Sequence, residues 1–228
     1  MAMNIKRIVF SRGFIGCVLI LLLLVIDQVI KISVKTSMCL HEANHITDWF
    51  YITFVENNGM AYGMTFVPKI LLTLFRIFAV TVIGVYLYRQ VKKQAKWGYI
   101  ITLAMVLAGA AGNIFDCLFY GQVFSESLPN AVASWVHWGE GYAPILQGRV
   151  VDMFYFPIID TNLPDWLPIW GGDHFIFFSP VFNFADACIS VGVIVLLLFY
   201  RHQLSEITLS GKKTEKEEEK EDEEIEVK

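Results

Sequence analysis

The chain has 228 residues, of which 55% are hydrophobic and 18% charged, with a formal net charge of −4 and a mean hydropathy of +0.51. Residues 212–228 alone hold five Lys and nine Asp/Glu, so the remainder is electrically neutral with 13 basic and 13 acidic groups. These figures exclude a water-soluble globular domain, whose apolar residues do not gather into long runs. They also exclude a nucleic-acid binder, which needs surplus basic charge to neutralise phosphates.

A bilayer core of about 30 Å is crossed by roughly 20 mostly apolar helical residues. Four segments meet that length in chain order: 13–33, 69–89, 97–119 and 182–200. The first follows Lys6, Arg7 and Arg12; Arg89, Lys92, Lys93 and Lys96 lie in the link between the second and third, and Arg201 follows the last. The long connections 34–68 and 120–181 are poor in Lys and Arg for their length. The positive-inside rule therefore puts both termini and the short link in the cytoplasm and the two long segments outside. The expected fold is an all-α membrane protein with four transmembrane helices and a small extracytoplasmic β element. Residues 1–204 form one membrane domain, and 205–228 a charged cytoplasmic tail that reads as disordered and solvating.

Phe14-Ile15-Gly16-Cys17 has the look of a cleavage box. The apolar run continues for nine residues beyond Cys17, however, with only four between Arg12 and that Cys. A signal places its apolar region before the cleavage site, so a retained anchor is expected. Of the four cysteines only Cys39 falls outside the expected spans, and no disulfide framework is suggested.

The outer segments are not plain loops. Ile46–Phe54 is rich in aromatic and β-branched residues and Glu56-Asn57-Asn58-Gly59 follows it, which reads as strand then turn. Residues 120–181 contain six of the seven prolines, which precludes one long helix. Trp135, Trp138, Trp166 and Trp170 suit a surface at headgroup level. A small sheet and an amphipathic stretch resting on the outer leaflet are expected.

An ionisable group in hydrocarbon costs about 2.5–3.5 kcal/mol on insertion scales, so each one needs a reason. Asp27 and Lys31 lie one helical turn apart at the outer end of the first span and read as a structural ion pair. Asn113 and Asp116 lie at the outer end of the third span, and Asn183 and Asp186 at the outer start of the fourth. Asp152 sits in the apolar stretch Gly148–Phe154. Taken singly, each reads more readily as a cap, an interhelical hydrogen bond or an ion pair than as a catalyst. Their coincidence at one depth in four elements favours a shared site. Asp152 and Asp186, if brought together against apolar walls, cannot both ionise comfortably and would share a proton near neutral pH. Such a pair acts on an amide by drawing a proton from water with one carboxylate and donating to the carbonyl oxygen with the other. Asn113 and Asn183 would orient the pair without adding charge.

Five motifs then appear in order: Asp27-Gln-Val-Ile-Lys31, Asn57-Asn-Gly59-Met-Ala61-Tyr62, Gly112-Asn113-Ile-Phe-Asp116, Gly148-Arg149-Val-Val-Asp152 and Phe182-Asn183-Phe-Ala185-Asp186. Together they resemble the lipoprotein signal peptidases, signal peptidase II of bacteria. The resemblance implies four helices with a small periplasmic β-cradle at the inner membrane. It also implies cleavage of diacylglyceryl-modified prolipoproteins before the lipidated cysteine, with membrane lipid around the substrate. By it Asp152 and Asp186 are the catalytic dyad, and Asn57, Gly59, Asn113, Asp116, Arg149, Asn183 and Ala185 line or bind; no cofactor or metal is implied, and a monomer is expected. The chain departs from the family where an arginine normally follows the aspartate matching Asp116, for Cys117 stands there. Arg149 is the candidate to replace that guanidinium. The separations of Asp116 from Asp152 and of Asp152 from Asp186, 36 and 34 positions, are longer than the family's, so the outer segment carries insertions.

Two other readings compete. His41-Glu42-Ala43-Asn44-His45 fits the H-E-x-x-H zinc-peptidase pattern, which needs both His on one helical face and a third ligand. The flanking sequence offers little apolar support for a helix there. A small transporter or assembly protein is the non-enzymatic alternative, yet the inner halves of the spans, such as Ile20–Ile26 and Val193–Phe199, leave no polar route across. Arg76 stands alone in the second span with no evident partner.

Overall fold

Ser11 opens the first helix, its hydroxyl accepting from the Phe14 amide at 3.2 Å, and α1 then runs over Arg12–Ser37. The computed structural model describes residues 11–59 and 68–204. Met60, Ala61 and Tyr62 of the second motif, the basic residues Lys6 and Arg7, and the tail 205–228 lie outside them. After α1 come β1 (Ala43–Thr47), β2 (Phe50–Asn57), α2 (Lys69–Lys92), α3 (Trp97–Val123), β3 (Val150–Tyr155), β4 (Ile159–Asn162), β5 (His174–Phe177), β6 (Val181–Phe182) and α4 (Phe184–Phe199).

Three of these helices, α1, α2 and α3, are long and apolar enough to cross a bilayer, by length and composition. α3 is the central one: 61% of its most apolar stretch is buried, against 11% in α1 and α2, and it packs on α1, α2 and α4. The other helices turn bare apolar faces outward, Leu21 and Val29 on α1, Phe75 and Phe78 on α2, and Leu198 and Phe199 on α4. Water would not tolerate such a continuous apolar girdle, whereas acyl chains solvate it. The fourth expected span is shorter than its sequence suggested. Val181 and Phe182 pair as a strand and Asn183 caps, which leaves 16 helical residues, about 24 Å of rise.

Small residues set how closely the helices approach. A Cβ at Gly112 would stand 2.6 Å from Asp27 Oδ2, and one at Gly109 would run into the carbonyl of Ala185. Glycine at these two places lets the α3 backbone meet the Asp27 side chain of α1 and the backbone at the start of α4.

The outer segments build a four-stranded antiparallel sheet in the order β1-β2-β3-β6 and a separate β4-β5 hairpin. The single strand expected over Ile46–Phe54 is two strands, because the chain turns at Asp48-Trp49 between them. Asp48 is the turn residue that the β-branched and aromatic run concealed. No helix occurs in the described residues 124–183, as the prolines require. Trp135, Trp138, Trp166 and Trp170 are all exposed there. Lys35, fully buried at the end of α1, fastens this layer to the helices. Its ammonium pairs with Glu56 of β2, donates to Ser127 Oγ at 2.9 Å, and lies over the rings of Phe54, Phe124 and Tyr142.

Candidate active site

The sheet brings the aspartates together. β3 pairs with β6 through Phe154 opposite Phe182, and the antiparallel direction carries Asp152 past the end of β6, alongside Asn183. Asn183 caps α4 with a reciprocal box: its Oδ1 accepts from the Asp186 amide at 2.9 Å, and Asp186 Oδ2 accepts from the Asn183 amide at 3.3 Å. Residues that look like a helix start in sequence are therefore also the place where the two acids meet.

Three asparagines hold the pair. Asp152 Oδ1 accepts from Asn183 Nδ2 at 2.6 Å and its Oδ2 from Asn57 Nδ2 at 3.1 Å. Asp186 Oδ1 accepts from Asn113 Nδ2 at 2.7 Å. Asn57 comes from the end of β2, where Asn57 and Val150 face each other across the β2–β3 ladder. Asp152 is 3% exposed, while Asn57 and Asp186 are half-buried, so the pair is approached from one side. Burial, and next the charge of Asp186, push the Asp152 carboxyl up to about 7, although the Asn57 and Asn183 donors pull the other way.

A second tier lies beneath. Lys31 Nζ meets Asp27 Oδ2 at 2.9 Å, Asp116 Oδ2 at 2.8 Å and Asn113 Oδ1 at 2.8 Å. Gln28 donates to Asp116 Oδ1 at 2.9 Å, the Val151 amide to Asp116 Oδ2 at 3.4 Å, and the Ala185 amide to Asp27 Oδ1 at 3.0 Å. The Asp27–Lys31 pair expected as a structural feature is present, and it does more than orient α1: through Asn113 it is two hydrogen bonds from Asp186. Asp116, fully buried with both oxygens engaged, supports the site from behind instead of lining it, and Ala185 acts through its backbone. Gln28, to which the sequence assigned no role, ties Asp27 to Asp116 within this tier, donating to Asp27 Oδ2 at 3.1 Å and Asp116 Oδ1 at 2.9 Å. Its place beside Asp27 was the available signal.

Arg149 is turned elsewhere. It pairs with Glu56 and Glu126 at 3.0 and 3.1 Å and lies over Tyr142, so it does not fill the place that Cys117 leaves. The guanidinium that reaches Cys117 is that of Arg76, whose Nη1 is 3.6 Å from its Sγ. Gly59, with φ +93° and its amide donating to Asn57 Oδ1 at 2.7 Å, closes the turn next to the pair. The zinc pattern does not assemble. His41 lies in a turn at φ +69° and His45 on β1, off any shared helical face, and among the described residues no cluster of three His, Cys, Asp or Glu is placed to hold a metal.

Known proteins bear the same stamp. A family model described as signal peptidase (SPase) II matches residues 19–201. A lipoprotein signal peptidase of Porphyromonas gingivalis is 48% identical over 205 residues, 89% of either chain. One of Amoebophilus asiaticus is 34% identical over 197 residues, 82% of this chain and 77% of that one. A solved bacterial membrane enzyme, determined in meso at 2.3 Å resolution, has a TM-score of 0.53 over 84% of this chain and 90% of its own at 21% identity, a likeness of fold. With a matching model over most of its length and relatives at such identity, the chain belongs to the signal peptidase II family.

Proposed function

We propose that the protein is an aspartic endopeptidase of the bacterial inner membrane that removes the signal peptide from diacylglyceryl-modified prolipoproteins, just before the lipidated cysteine. The observation that carries the reading is the pair Asp152 and Asp186, shared among Asn57, Asn113 and Asn183 with one carboxyl raised to about 7. Asp152 is the protonated partner, because burial and its neighbour's charge oppose its ionisation. Asp186, in the first turn of α4 and held by Asn113, is assigned the role of base toward water.

The chemistry follows from that division. Asp186 takes a proton from water as the oxygen adds to the scissile carbonyl carbon, and Asp152 gives its proton to the carbonyl oxygen, leaving a gem-diol. Collapse breaks the C–N bond. The amine leaves with the proton held by Asp186, and a diol proton returns to Asp152. The acyl chains, dissolved in the bilayer, hold the scissile bond at the depth of the pair, so position is supplied by the lipid.

All four helices act as spans in this reading, with both termini cytoplasmic and the sheet at the periplasmic face. Its support is the segregation of charge: Arg89, Lys92, Lys93 and Lys96 stand at the ends of α2 and α3 remote from the pair, and Arg12 donates there to the carbonyls of Gln94 and Ala95. Residues 1–204 make up the peptidase unit, working as a monomer. The test is cleavage of a diacylglyceryl-modified precursor and of its unlipidated twin by the wild type, Asp152→Asn and Asp186→Asn. Only the lipidated precursor is cut, and only by the wild type; turnover by either variant would sink the mechanism.

A further inference from the structure

We propose that Arg76 is a positioning residue of this site: from an otherwise apolar helix its guanidinium pins the Asn57–Gly59 turn that aims Asn57 at Asp152. The inference rests on the aspartic reading above and adds a residue to it.

Arg76 is the single charge between Lys69 and Arg89 in α2. An arginine in a helix that faces lipid costs enough to need a partner, and this one is half-buried with its head turned to the site. Nη2 donates to the Gly59 carbonyl at 2.8 Å and Nη1 approaches Cys117 Sγ at 3.6 Å. A second observation agrees. A Cβ built on Gly59 would stand 2.8 Å from Nη2 and 3.0 Å from Nη1, so the guanidinium covers the face of that glycine.

The consequence runs along three bonds. Arg76 holds the Gly59 carbonyl, the Gly59 amide holds Asn57 Oδ1 at 2.7 Å, and Asn57 Nδ2 then points to Asp152 Oδ2 at 3.1 Å. Gly59 has φ +93°, a backbone state that does not persist by propensity for most residues and is favoured by glycine alone. An amide side chain has two ends, and fixing its oxygen on Gly59 decides that its nitrogen faces the carboxyl. Arg76 thereby reaches Asp152 without touching it. It also stands against Cys117 of α3, so its head bridges the turn after β2 and the central helix.

The test uses the full-length enzyme, a lipidated precursor, and kcat and KM measured separately. Arg76→Met is the first variant, because an apolar residue there favours insertion. It lowers kcat by about tenfold or more, the scale of a lost hydrogen bond to a charged group, and leaves KM nearly unchanged. Arg76→Lys, which still donates, recovers most of that loss. Asn57→Ala has a similar effect on kcat, and the double variant is no worse than Asn57→Ala alone, since both remove one relay. Arg76→Met/Cys117→Arg regains activity by returning a guanidinium between that turn and α3. Wild-type kcat in Arg76→Met, or losses that add with Asn57→Ala, would overturn the role. If Arg76→Met does not accumulate in membranes, the same comparisons are made with Arg76→Gln. Asp152→Asn runs beside them: turnover in that variant removes the aspartic reading itself, whereas full activity of Arg76→Met beside an inactive Asp152→Asn removes only Arg76.

Discussion

Lys31 donates to Asn113 Oδ1 at 2.8 Å, and that bond decides which way the Asn113 amide points. With its oxygen held by Lys31 and by Asn183 Nδ2 at 3.2 Å, its nitrogen faces Asp186 Oδ1. A buried cation, itself shared by two buried acids, thus helps fix the orientation of a neutral residue beside the proposed catalytic pair. Removing it should be costly in two separate ways.

Lys31→Met leaves Asp27 and Asp116, 2% and 0% exposed, without their cation. Losing one partner of a buried pair costs about 3–5 kcal/mol, so the variant should melt markedly lower or fail to accumulate. Adding Asp27→Asn and Asp116→Asn should restore the melting temperature but not full activity, because Asn113 Oδ1 then keeps only the longer bond from Asn183, at 3.2 Å, to set its orientation. Full activity in the triple variant would show that Asn113 needs no fixed orientation.

Asn183 caps α4 with its oxygen and donates to Asp152 and Asn113 with its nitrogen, and a substitution can separate the two ends. Serine caps helices about as well as asparagine, but its hydroxyl is too short to reach Asp152 as the 2.6 Å amide bond does. Asn183→Ser should keep the melting temperature within a few degrees of wild type while kcat falls by about tenfold to a hundredfold. Loss of stability without loss of turnover would reverse that assignment.

The raised Asp152 carboxyl ties activity and stability to pH. The groups that face it are Asp186, Lys31, Asn57 and Asn183. Folded, it releases its proton at about 7, whereas the unfolded chain does so near pH 4. The folded state binds the extra proton between those values, so stability from this group is complete below about pH 4 and declines as pH rises toward 7. Activity that needs a protonated Asp152 should fall on the alkaline side of about 7. Asp152→Asn, neutral throughout but able to accept from only one of its two amide donors, should be inactive and should lose less melting temperature than wild type as pH rises from about 4 to about 8. An equal loss in the two proteins over that range would contradict this.

A chelator separates the two peptidase chemistries. Cleavage should survive EDTA, and His41→Ala and His45→Ala should each be active, since Glu42 is engaged with the Cys39 amide at 2.8 Å and His45 with Asp48 at 3.6 Å. Loss of activity on chelation, restored by zinc, would favour the rival motif.

Much of this site was legible because membrane energetics make polar residues conspicuous. Asp152, Asp186, Asn113 and Asn183 stood out for their depth, and the structure gathers them through α3, β3, β6 and α4. What hydropathy did not reveal was the backbone. The turn at Asp48-Trp49 divides a run that looks like one strand, and a two-residue strand shortens the fourth helix, since strand pairing depends on a partner far along the chain. Arginines were the hardest to assign. Arg149 sits beside a motif and serves Glu56 and Glu126, whereas Arg76, distant from every motif, reaches Gly59, and sequence spacing carries no information on where so long a side chain ends.

The cap that begins α4 has one further consequence. Helix ends ordinarily fray, opening and closing their first turn at small cost. Here Asn183, Asp186 and the Ala187 amide, which donates to the Asn183 carbonyl at 3.1 Å, are the first turn, and two of them hold or form the proposed catalytic pair. If that pair is the one that cuts, each moment of fraying is a moment without a working site. Hydrogen exchange at the amides of Asp186 and Ala187 would then read, residue by residue, the fraction of time the pair is assembled.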